Sequence, residues 1–91
     1  MFRRLSLMKT IVETATGLSK YIFENSDSIT MRKTKINTPN FIIGDLNSTN
    51  ALLHTGVTPP DDWIGNKYTF DGTSWTINPN WVDPAIEEGG E

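Results

Sequence analysis

The chain has 91 residues, a formal charge of −3 and an apolar fraction of 36%, with no cysteine and a single histidine, His54. That length allows one domain with one modest core. The missing cysteines exclude disulfides, thiolate zinc sites and cysteine nucleophiles, and one imidazole excludes any site that needs two.

The apolar fraction falls below the roughly 45–50% of ordinary globular domains. Nine aromatics partly offset this, since each can bury about 150–250 Å². A core this thin points to oligomerisation as a remedy. Charge is unevenly spread. Residues 1–35 hold seven basic against three acidic side chains, and residues 36–91 hold Lys67 alone against eight acidic ones. Halves of opposite sign attract within one fold or between subunits.

The N-terminal Met1-Phe2-Arg3-Arg4-Leu5 has basic residues but no sustained apolar core, so it makes a poor signal peptide. Met8, followed by Lys9-Thr10-Ile11-Val12, is an alternative initiator, with residues 1–7 then a non-native extension. The domain proper is expected over residues 8–82.

Short runs of β-formers follow at regular spacing. They are Thr10–Glu13, closed by Ala15-Thr16-Gly17; Leu18–Glu24, in which Tyr21 and Phe23 alternate with Lys20, Ile22 and Glu24; and Ile29 to Arg32. Arg32-Lys33-Thr34-Lys35 is the only concentrated basic stretch and reads as a solvated turn or edge guard, so nucleic-acid binding is not expected. No apolar run exceeds three residues, too short to cross a membrane, and Phe41-Ile42-Ile43 is suited to a central strand covered on both faces. Ala51–Thr55 is a fifth candidate strand, ended by Gly56.

Tyr68-Thr69-Phe70-Asp71-Gly72-Thr73-Ser74-Trp75-Thr76-Ile77 reads as a β-hairpin. Asp71-Gly72 suits a two-residue type I′ turn, and a four-residue loop from Asp71 to Ser74 is the alternative. Under either, Tyr68, Phe70, Trp75 and Ile77 share one face, which should be buried. The preceding Thr58-Pro59-Pro60-Asp61-Asp62-Trp63-Ile64-Gly65 is irregular, because two prolines remove amide donors. Its Trp63 is expected to fold back as a lid over the hairpin. Residues 83–91 form an acidic tail with little apolar surface to hold it down. No window sustains a helical apolar stripe. The expected fold is all-β, a compact meander or small sandwich of about six or seven short strands with a C-terminal hairpin.

Candidate chemistry is sparse. Asp61, Asp62 and Asp71 resemble glycosidase carboxylates only in type, because each stands where turns favour Asp for backbone reasons. Asp45, Asn47 and Thr49 match the first alternating ligands of a calcium loop, but Asn50 and Gly56 replace the required glycine and glutamate. His54 has no nucleophile elbow to serve. Asn47-Ser48-Thr49 fits a glycosylation sequon. No catalytic, metal or cofactor site is assigned. Trp63, Tyr68, Trp75 and Trp81 are either core or a stacking platform for sugars. Core is the simpler reading, with Trp63 and Trp81 the rings expected to be partly exposed.

Residues 58–75, continuing through Asn78-Pro79-Asn80-Trp81, and the run Phe41-Ile42-Ile43-Gly44-Asp45-Leu46-Asn47-Ser48 resemble small uncharacterised proteins of marine tailed phages and cyanophages. The similarity spans residues 8–84. It implies a non-enzymatic structural role in the virion, with itself or larger virion proteins as partners and the virion or host cytoplasm as its place. It transfers no functional residue. A carbohydrate-recognition module using Trp63, Trp75 or Trp81 is the alternative.

Overall fold

The computed structural model describes residues 7–82, so residues 1–6 of the proposed 1–7 extension and the acidic tail lie outside the described residues. The fold is all-β. Its strands are β1 (Met8–Glu13), β2 (Ser19–Glu24), β3 (Thr30–Met31), β4 (Ile36–Asn37), β5 (Ile42–Ile43), β6 (Ala51–Val57), β7 (Tyr68–Phe70) and β8 (Trp75–Ile77). They form three antiparallel sheets, ordered β2-β1-β6, β3-β4-β5 and β7-β8.

The first sheet is the middle of the molecule, because its central strand is covered on both faces. Consecutive Thr10, Ile11 and Val12 of β1 are all buried, the pattern of a strand with an apolar layer on each side. On one face Ile11 joins Phe23, Ala51, Leu46 and the paired Ile36 and Ile43 in the main core, flanked by Tyr21, Ile29, Met31 and Leu53. On the other, Val12 joins Val57 and Phe70, with Met8 and Trp75 at the margin. Each fully buried Val, Leu, Ile or Phe among these contributes about 1.5–3 kcal/mol.

The apolar run Phe41-Ile42-Ile43 is therefore not the central strand. Only Ile43 is buried, while Phe41 is 45% and Ile42 60% exposed, because β5 is an edge strand opposite β4. The run that is covered twice is Ile11-Val12. β4 escaped the pattern because Lys35 and Thr38-Pro39 flank its two residues. Arg32–Lys35 is a turn, with the Lys35 carbonyl accepting from the Arg32 amide at 2.9 Å and Arg32 and Lys33 exposed.

Gly56 does not end β6. It lies inside the strand with φ +67°. The register with β1 steps from Thr10–His54 to Met8–Val57, which makes Gly56 the extra residue of a bulge.

Candidate functional site

The hairpin takes the four-residue loop. Phe70 pairs with Trp75 and Tyr68 with Ile77, and the Asp71 amide donates to the Ser74 carbonyl at 3.3 Å. The Asp71 carboxylate accepts from the amides of Thr73 at 2.8 Å and Ser74 at 2.7 Å. These bonds, Ser74 first, hold its pKa below the ordinary carboxylate value. Gly72 supplies the positive φ, +101°. The shared face is only partly buried. Phe70 is 5% exposed and Tyr68 and Trp75 are half-buried, whereas Ile77 is 53% exposed. Ile77 lies on β8, the strand away from β2, while β7 is held to β2 by the Leu18–Thr69 bridge.

Phe70 and Trp75 stack with centroids 4.2 Å apart, and His54 of β6 meets Phe70 edge-on at 5.1 Å. Between them and the end of β6 lies an open cleft of about 310 Å³, lined by Thr55, Val57, Thr58, Phe70, Thr73 and Trp75 among others. Threonine hydroxyls beside an indole are a lining that suits a polar ligand with one apolar face.

Trp63 does not cover the hairpin. It docks beside it, on the same face of the central sheet, and its indole N–H donates to Ser19 Oγ at 2.9 Å. Ser19 and Thr10 are fully buried with their hydroxyl oxygens 2.6 Å apart, and Thr10 Oγ1 donates to the Tyr21 carbonyl at 2.9 Å. Thr10 has one proton, already given to Tyr21, so Ser19 must donate to Thr10 and accept from Trp63. The chain of bonds runs from Trp63 through Ser19 and Thr10 to Tyr21. Trp81 is likewise half-buried, in a turn where its amide donates to the Asn78 carbonyl at 3.0 Å. Among the described residues Trp75 stacks on Phe70, and no ring pair joins it to Trp63 or Trp81.

The acidic candidates serve the backbone and the loop. Asp62 accepts from Lys67 Nζ at 2.9 Å and from the Tyr68 hydroxyl at 2.8 Å, tying the proline loop to β7. The Lys67 bond first, then the Tyr68 bond, lowers its pKa, and the same carboxylate raises that of Tyr68. Asp61 is exposed. In the 45–50 loop, Asn50 Oδ1 accepts from the Asn47 amide at 2.7 Å, and Asn47 Oδ1 from the Thr49 amide at 2.9 Å. Those oxygens cap the loop's own amides. Among the described residues no three carboxylate or imidazole side chains gather as a metal site.

No protein-family model matches the chain, and no curated protein or solved structure matches it significantly.

Proposed function

We propose that the chain is a non-enzymatic structural protein that acts through protein–protein contacts, as a small component of a phage particle. The observation that carries the reading is the distribution of apolar side chains. Among the described residues nine apolar side chains are buried, while Leu7, Phe41, Ile42, Leu52, Ile64, Ile77 and Val82 are large, apolar and exposed. Scattered exposed apolar residues are ordinary, but a grouped set marks a contact surface. Phe41 and Ile42 are adjacent, and the Phe41 ring lies 5.9 Å from Tyr21 and 6.0 Å from Phe23. Phe41 thus extends the ring cluster of Tyr21 and Phe23 to the surface, next to exposed Ile42 at the start of β5. The resemblance of residues 8–84 to small phage proteins supports the particle as the setting, with the virion or the host cytoplasm during assembly as the location.

The test is quantitative mass spectrometry of purified particles from the phage that encodes the chain. The chain should be present at fixed stoichiometry, and Ile42→Lys, at a side chain 60% exposed, should abolish incorporation while leaving the melting temperature unchanged. A chain absent from particles overturns the reading. The Trp75 cleft favours a second reading, glycan recognition, which requires binding on a glycan array that Trp75→Ala removes.

A further inference from the structure

The two edges of the central sheet are treated differently. The β2 edge is closed by the chain itself. Its Ser19 carbonyl accepts from the Asn66 amide at 3.0 Å and the preceding Gly17 carbonyl from Phe70 at 3.0 Å, with a Leu18–Thr69 bridge between them. Charged Lys20 and Glu24 guard the rest. Among the described residues the β6 edge has neither device. Its regular part, Ala51-Leu52-Leu53-His54-Thr55, contains no proline, carboxylate, ammonium or guanidinium.

The Asn50 carbonyl accepts from the Thr14 amide at 3.0 Å, so Asn50 faces β1. Alternation then turns Leu52 and His54 toward β1, and directs the amides and carbonyls of Ala51, Leu53 and Thr55 outward. The bulge at Gly56 ends this regular stretch.

We infer that this edge is a dimer interface, at which β6 of a second copy adds antiparallel. The inference rests on the protein–protein reading above. The occupant follows from the edge itself. Three outward residues spaced by two are their own complement across a two-fold axis through Leu53. That register sets Leu53 against the partner's Leu53 and Ala51 against the partner's Thr55, and it satisfies every outward group of the stretch. Shifting the axis to Leu52 or His54 leaves outward groups unmet. The same register sets Leu52, 52% exposed, beside the partner's His54 and removes it from water. The three-stranded sheet becomes one continuous antiparallel sheet across both copies. The contact spans about 17 Å of strand, so it belongs to the small, weakly binding class of interfaces.

Sedimentation equilibrium of the 10.2 kDa chain, from about 10 µM to about 1 mM, a range that covers weak association, reads the assembly. The mass should rise toward a dimer, and the Leu53 and Thr55 amides should gain exchange protection with concentration. Thr55→Pro, which removes an outward amide, and Leu52→Lys should each weaken dimerisation at least tenfold, with an unchanged fold by circular dichroism. A chain that stays monomeric at the highest concentration overturns the inference, as does a dimer that both variants retain. The outcome separates from the reading beneath it. A monomer still incorporated into particles removes only the β6 interface, whereas a dimer absent from particles removes only the virion role.

Discussion

Ser19→Ala tests the buried bond chain that seats Trp63. Ser19 has no exposed surface, and its hydroxyl is the middle member between the Trp63 indole and Thr10. Removing it deprives the indole N–H of its acceptor and leaves Thr10 Oγ1 without its donor. Loss of a buried partner costs about 1–3 kcal/mol. Trp63 is only half-buried, so water can recover part of the indole bond, and about 1–2 kcal/mol is expected. In a domain this small each 1 kcal/mol moves Tm by roughly 4–8 °C, so the variant should melt roughly 4–16 °C lower. Urea titrations of Ser19→Ala, Trp63→Phe and the double variant form a cycle. Trp63→Phe keeps a ring but has no N–H, so the two changes should be coupled by about 0.5–1.5 kcal/mol. Additive losses would refute the bond chain, and a Tm within 2 °C of the parent, set against the range above, would refute Ser19 as its centre.

Phe70→Ala should cost about 3–5 kcal/mol in urea unfolding, Trp75→Ala less because that ring is half-buried, and Ile77→Ala within about 0.5 kcal/mol of zero. Gly65→Ala brings a methyl carbon to 3.0 Å from the Lys20 carbonyl, an overpacking that should destabilise by about 1–3 kcal/mol in the same assay. Asp62 and Asp71 have folded pKa values below the ordinary 3.8. Their bonds should therefore stabilise fully above that value and be lost as pH falls below it through the depressed values, read as an acid-side loss of stability that Asp71→Asn flattens.

The sheet class was legible because β-formers and turn residues recur at short intervals, and the hairpin because Asp71-Gly72 lies between the alternating Tyr68, Phe70 and Trp75, Ile77. Which strand lies at the centre was not. Thr10-Ile11-Val12 and Phe41-Ile42-Ile43 look alike as short β-forming runs, and only the layers supplied by distant segments decide which is covered twice. The burial of Ile77 failed for the same reason, since alternation assigns a face but not the extent of what covers it. The lid over the hairpin expected of Trp63 is not formed, because its indole N–H is taken by a buried hydroxyl of β2. Ser19 carries no sign in sequence that it will be buried, because its burial comes from a strand pairing and a loop some forty residues away. Gly56 had the opposite ambiguity, since a glycine after a β run ends a strand or bulges it equally well.

These allocations have one physical origin. A chain with few apolar residues cannot enclose three sheets on every side, so the buried set is placed where two layers meet β1. The remaining apolar groups fall on the rims, at Phe41-Ile42 along β5 and at Leu52 on β6. The polar alternative is visible at β2, where the loop from Gly65 to Phe70 closes the Gly17–Ser19 end of the edge with the chain's own amides and charged Lys20 and Glu24 flank Ile22 on the rest. The same closure at β6 would need a further segment, and none of the described residues is placed there. In the dimer proposed above, a second chain would supply at β6 what residues 65–70 supply at the start of β2, and it would cover the exposed leucine that lies on the same strand.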